Sequence, residues 1–459
     1  MEIVGNKKDM AVLSVSEFES KSITGLFWKY TIFALGGLAF QAVQVIMDGA
    51  FVGNGIGPYG LAVISVTTVF WQIAVALFNL FGIGGSTLAA IKLGNGDAKG
   101  AKEVYSSVLS FSLLSSVILG LLAFLDLDGL LAFIGATPDI MDGARSYVLV
   151  FLVGFPFCVV SSVCYFFTRV AEKPFAAAMA YCVPALLAIG LEYILIFKLN
   201  FGIGASSFAG EVCAGMGFLL IPYLNSKKTV FAIRLSDLKI NFSVVLESLK
   251  IGFAIFIIPI SAIFVTIIVN NLIISTGGNE LHLAAFGITN AYIIYVLNIF
   301  TIGFVTGIQP IASYNYGAKL YGRVREIIRI GVVQSSIGII VILAFVFIFA
   351  EQIIIFFIGP EPTLVPIVKQ AMTIFISMYA FGNISQIASG YFMAVEKNRT
   401  AILNALARMV IFAIPLLYIS SNLFGLKGVW MAQPAADIMA AILAIICLKM
   451  EYKRLGKMN

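Results

Sequence analysis

The chain is 459 residues long, 60% hydrophobic and only 11% charged, with a mean hydropathy of +1.02. Soluble domains carry about a quarter of their residues as charges, so a water-soluble globular protein is excluded. A bilayer core of about 30 Å takes roughly 20 helical residues to cross, and the chain is therefore read in units of that length.

In chain order, residues 1–26 are polar and mixed in charge. They lack the short apolar core of a secretory signal and are expected to form a cytoplasmic N-terminal segment. Twelve apolar runs follow, near 27–52, 61–90, 104–125, 146–168, 175–197, 204–224, 246–276, 281–313, 327–358, 365–394, 401–424 and 428–448. Gly53 to Gly60 separates the first two. Its glycines follow no strand, so they read as a turn rather than a phosphate loop. Runs such as Ile327 to Ile358 do not alternate as barrel strands do. The predicted fold is an all-α membrane protein of twelve transmembrane helices.

Charge sets the topology. With both termini cytoplasmic, every Lys and Arg except Arg145, Lys198, Lys369 and Lys427 falls on an inner loop or inner helix end. That is the positive-inside distribution of a multi-pass cell-membrane protein. The net charge of +6 then reflects topology, and no nucleic-acid partner is expected. Arg169 and Arg408 fall near cytoplasmic helix ends, where snorkelling to the interface is the default. Glu103, Glu172, Glu326 and Glu396 stand beside basic residues and are expected to form solvated ion pairs.

The two halves match. At an offset of 223, Gly84 meets Gly307, Gly94 meets Gly317 and Glu103 meets Glu326; at 224, Glu172-Lys173 meets Glu396-Lys397 and Gly204 meets Gly428. Six spans per repeat insert both halves the same way up, related by a pseudo-twofold axis along the membrane normal. The expected organisation is an N-lobe at 27–224, a cytoplasmic link at 225–245, a C-lobe at 246–448 and a tail at 449–459. Pro156, Pro184, Pro259, Pro310, Pro415 and Pro434 fall within spans and are expected to bend them.

Four acids lie well inside spans: Asp48, Glu192, Glu211 and Asp437. Ionisable groups there are expensive and mark ion paths or binding sites. Asp48, Glu192 and Glu211 reach similar depth in the outer half of the membrane, where a helix bundle can turn them onto one cavity. Each either exchanges a proton or cation there, or pairs with Lys198 or a backbone group, or faces water near the surface. Asp437 takes roughly the place of Glu211 in the second half. Cys158, Cys164, Cys182, Cys213 and Cys447 fall in apolar spans as small hydrophobes, and His282 stands alone in an outer loop. No metal site, catalytic constellation or organic cofactor is expected.

Four stretches then carry a family likeness: Gln41 to Gly53 (QAVQVIMDGAFVG), Leu191 to Ala205 (LEYILIFKLNFGIGA), Gln309 to Gly317 (QPIASYNYG) and Trp430 to Asp437 (WMAQPAAD). The chain resembles the multidrug and toxic compound extrusion (MATE) family over essentially its whole length. The resemblance implies twelve helices in two lobes forming a V. It also implies export of small organic compounds, often cationic and aromatic, against H+ or Na+ by a protein functional as a monomer. Asp48 falls on the family's first-helix Asp, and Glu192 where an Asp is usual. Some members have an Asn four positions before the fifth-helix acid, where this chain has Ala188. Others place coupling acids in helices seven and ten, and the interiors of spans 246–276 and 365–394 hold none. The N-lobe cluster is therefore the expected coupling site. A lipid-linked precursor flippase would need several cations in its cavity, and a membrane-embedded enzyme a clustered set of reactive side chains.

Overall fold

A computed structural model describes residues 16–358 and 362–458; most of the 1–26 segment lies outside it. Twelve helical spans run through the described residues: α1 (Ile23–Gly55), α2 (Tyr59–Gly94), α3 (Ala98–Leu125), α4 (Met141–Val170), α5 (Pro174–Lys198), α6 (Gly204–Ser226), α7 (Phe242–Ser275), α8 (280–317), α9 (Tyr321–Ile348), α10 (364–394), α11 (398–424) and α12 (426–456). α11 joins α12 at a kink on Gly425, whose φ of 57° and ψ of −138° suit glycine alone. In α10 the pieces Leu364–Phe375 and Tyr379–Ala394 meet at 50°.

Local chemistry explains the ends. Side chains of Ser22, Asp97 and Asn241 cap α1, α3 and α7 by accepting backbone N–H bonds, the bonds a helix start otherwise leaves open. His282, expected in a loop, instead completes a capping box with Asn279 at the start of α8. Most of the glycine cluster is helical too, and only Gly57, with φ 85°, turns the chain into α2.

The repeat is visible in the backbone. α3 is followed by the short helix Leu127–Phe133, and 223 residues later α9 is followed by Ala350–Ile358. The apolar run Ile327 to Ile358 is therefore not one span. The 28 residues of α9 already exceed a bilayer core at about 1.5 Å each, and Glu351 beyond the break pairs with Lys369 at 2.9 Å. Left-handed turns repeat as well, at Glu172 (φ 61°) and Glu396 (φ 57°). Helix continues through Pro156, Pro184, Pro259, Pro310 and Pro434. The irregular stretches include π turns at Asn79–Ile83, Ile194–Lys198, Thr289–Ile294 and Ala407–Phe412 and a 3₁₀ turn at Met216–Leu219, and no proline stands at the α10 bend.

Helices α1–α6 form one lobe and α7–α12 the other, with like helices running the same way. Residues 16–22, residues 449–458 and the 227–241 link share one face of the molecule, the terminal face. In the half toward it, the lobes touch closely. A Cβ on Gly94 would lie 2.0 Å from the Tyr314 carbonyl oxygen, and one on Gly317 would lie 2.1 Å from that of Ile91. These repeat-related glycines let α2 and α8 cross backbone to backbone. Gln309 Nε2 donates to Thr87 Oγ1 at 2.9 Å and Ser86 Oγ at 3.2 Å, and the Arg169 guanidinium donates to the Thr306 carbonyl. Around them the N-terminal turn Glu17–Ser20 ties the lobes together. Ser16 Oγ and the Glu17 N–H donate to Glu172 in the α4–α5 turn. The Phe18 carbonyl accepts from Asn315 Nδ2 at 3.1 Å and Arg323 Nη2 at 2.7 Å. Among the described residues, every hydrogen bond joining the lobes lies in this half.

Candidate functional site

The N-lobe encloses a cavity of about 200 Å³ between α1, α2, α4, α5 and α6. Each helix presents one stripe to it. On α1 the stripe is Gln41, Gln44, Val45 and Asp48; on α6 it includes Ser206, Ser207, Gly210 and Glu211, the spacing of one helix face. All three N-lobe acids expected to gather line this one space.

The Asp48 carboxyl accepts a hydrogen bond from Ser206 Oγ and meets the Glu192 carboxyl at hydrogen-bond range. Glu192 is 2% exposed, and its Oε1 is buried without a donor. Glu211 accepts from Cys158 Sγ at 2.9 Å, with Gly154 making room: a Cβ there would stand 2.4 Å from the Glu211 Cβ. Tyr147 lines the same cavity. No Lys or Arg lines the cavity, and none of the three acids forms a salt bridge among the described residues. Lys198 is not their partner.

Two carboxyls in contact cannot both stay charged in a poorly solvated space; one proton or one cation between them removes the repulsion. From the acids toward the terminal face the lining turns aromatic, with Trp71, Phe78, Tyr165 and Tyr181, the last two edge to face at 4.4 Å. Aromatic faces next to negative charge attract flat organic cations. Sequence reasoning missed Ser206, Tyr147 and Cys158. A hydroxyl or thiol in an apolar helix is common, and only the packing of α4 and α6 on α1 aims these three at the acids.

The second lobe differs. Asp437 is wholly buried and paired with Arg408 Nε at 2.6 Å, and Gln433 Nε2 donates to it at 2.9 Å. The Arg408 guanidinium lies 4.8 Å from the centre of the Tyr379 ring. Arg408 and Arg169 thus do not snorkel. Both are buried, because Asp437 and the Thr306 carbonyl give their guanidinium groups partners that only tertiary packing supplies. Nor do Glu103, Glu172, Glu326 and Glu396 form ion pairs among the described residues. Glu172 binds the N-terminal turn, and Glu103 accepts from Asn241 Nδ2 at 2.8 Å.

The MatE family pattern matches residues 34–194 and 251–419. The chain belongs to the MatE family. It is thus a membrane transporter rather than an enzyme. It is 24% identical over 435 residues to the multidrug export protein MepA of Staphylococcus haemolyticus, covering 93% of this chain and 94% of that one. With MepA of Staphylococcus aureus strain NCTC 8325 it is 23% identical over 445 residues, covering 95% and 96%. Among solved structures it superposes on a MATE protein crystallised with MaD3S at a TM-score of 0.89 and 21% identity, covering 96% of this chain and 98% of that one. An outward-facing MATE-family multidrug resistance transporter gives 0.88 and 21%, covering 94% and 96%. The two-lobe MatE architecture accounts for the repeat.

Proposed function

We propose that this MatE protein is a secondary active exporter that exchanges small organic compounds, often cationic and aromatic, for H+ or Na+ at the Asp48–Glu192 pair. The contact of those two carboxyls inside a cavity free of basic side chains carries the reading. Binding one coupling ion neutralises the pair. Releasing it restores an excess negative charge that an organic cation over Trp71 and Tyr181 can balance. One site then holds ion or substrate, and that competition is what antiport requires. Glu211 lines the same cavity and is proposed as a third member of the coupling cluster. Asp437 is assigned to holding Arg408. A membrane potential adds about 2.3 kcal/mol per charge per 100 mV to ion occupancy.

In this reading the terminal face is cytoplasmic, and residues 225–245 form a cytoplasmic link between an N-lobe at 27–224 and a C-lobe at 246–448. The protein works as a monomer in the cell membrane. Lobes joined only in the cytoplasmic half correspond to the outward-open stage of alternating access. A lipid-pyrophosphate cargo is disfavoured, since acids and no cations line the cavity. The test uses purified protein in proteoliposomes, with uptake of a fluorescent organic cation under imposed H+ and Na+ gradients separately. One gradient should drive uptake, and Asp48→Asn should abolish it in a correctly folded protein. Uptake by Asp48→Asn at the parent's rate refutes the assignment.

A further inference from the structure

A second pocket, of about 350 Å³, lies between α7 and α8 and includes Thr266, Asn270, Asn271, Phe286 and Asn290 in its lining. At the repeat offset of 223, Asn271 and Gly287 fall on Asp48 and Ile64, both of which line the N-lobe cavity. The pocket is therefore the repeat partner of the proposed coupling cavity, with amides where that one has its carboxyl. Asn270, Asn271 and Asn290 are exposed, and none of their side chains is hydrogen-bonded to a described residue. An amide left without partners in hydrocarbon costs free energy, so these three face a wet cleft and wait for donors and acceptors.

We infer that this α7–α8 pocket is a second ligand subsite, taking the uncharged, hydrogen-bonding part of an exported organic compound. The inference rests on the exporter reading above. Its chemistry is set by what the pocket lacks as much as by what it holds. It has no ionisable side chain in its lining, and the second lobe's intramembrane acid Asp437 is already spent on Arg408. A cation gains nothing here over water. A neutral group that both donates and accepts finds amides able to answer both ways, while Phe286 and Ile274 offer an apolar wall. The size matches that of ordinary small-molecule pockets, roughly 300–1,000 Å³. A molecule with no polar group to match would leave the amides unpaired, and such sites reject it. The two repeats would thus divide recognition, charge at one and neutral polarity at the other.

The experiment compares two probes on the full-length protein in lipid nanodiscs. Chloramphenicol is neutral, flat at one end and rich in hydroxyl and amide groups; tetraphenylphosphonium is a cation with none. Binding of each is measured for the parent, for Asn270→Leu/Asn290→Leu, and for Asn290→Gln, which keeps the amide. The leucine variant should lower the ratio of chloramphenicol to tetraphenylphosphonium affinity at least tenfold, and the glutamine variant should recover part of it. In Asn290→Cys, chloramphenicol but not tetraphenylphosphonium should slow maleimide labelling; this arm holds even if the leucine variant folds poorly. An unchanged ratio and unprotected labelling overturn the proposal. Binding of the cation alone by the parent overturns it and leaves the exporter reading standing. Binding of neither, with no transport of either, defeats the exporter reading itself.

Discussion

Replacing Asp437 by Asn removes the only acid paired with Arg408 among the described residues. The Arg408 side chain is 5% exposed and that of Asp437 0%, so water cannot take over the lost contact. Gln433 and the Tyr379 ring stay in place, but neither carries a negative charge. Removing one partner of a buried pair leaves an uncompensated ion and costs about 3–5 kcal/mol. At about 1.4 kcal/mol per factor of ten, the folded state loses roughly a hundredfold to a few thousandfold in population. Replacing both partners, in Arg408→Met/Asp437→Leu, takes away the stranded charge and should return most of the loss. Thermal unfolding in detergent is followed by tryptophan fluorescence in a Trp28→Phe/Trp71→Phe background, which leaves Trp430, buried two turns before Asp437 on α12. Asp437→Asn should melt roughly 5 °C or more below the parent, with the double variant close to the parent. Parent-like melting of Asp437→Asn, or a double variant no better than the single, would show that the pair does not hold the C-lobe together.

Other consequences follow from particular contacts. Gly94→Val places carbon on the Tyr314 carbonyl and should separate the lobes at the terminal face; cysteines near Gln309 should then label faster, and unchanged labelling counts against tight crossing. Arg323→Ala removes two bonds to carbonyls of the N-terminal segment, at Phe18 and Lys21, and should raise hydrogen exchange of residues 16–22 at least fivefold, at about 1 kcal/mol per lost bond. Ser206→Ala strips Asp48 of its donor and should slow cation export in proteoliposomes about tenfold while leaving expression unchanged. The hydrogen bond from Lys102 holds the Asp237 carboxyl below its ordinary 3.8. A depressed carboxylate stabilises above its unfolded value and loses that contribution as pH falls through the folded one. Hydrogen-exchange protection in the 227–241 link, corrected for the intrinsic pH dependence of exchange, should therefore be flat from pH 7 to 5 and fall only below about 3.8, and a fall beginning at pH 5 would contradict this.

Composition and periodicity were enough for the architecture, because lipid forces every backbone group into helices long enough to count. The repeat was legible for the same reason: Gly84, Gly94 and Glu172 recur where the fold needs a close approach or a turn. The three N-lobe acids stood out because an ionisable residue in an apolar run is costly wherever it points. What sequence could not supply was partnership. Asp48, Glu211 and Asp437 look alike in one dimension. Packing joins Asp48 to Glu192 and Ser206, gives Glu211 a thiol, and buries Asp437 against a guanidinium expected at the interface. It likewise carries Arg169 across to the other lobe. Such contacts join residues tens to hundreds of positions apart. They depend on which helix faces meet, and an apolar helix bound for lipid carries little polar patterning to announce its inward face.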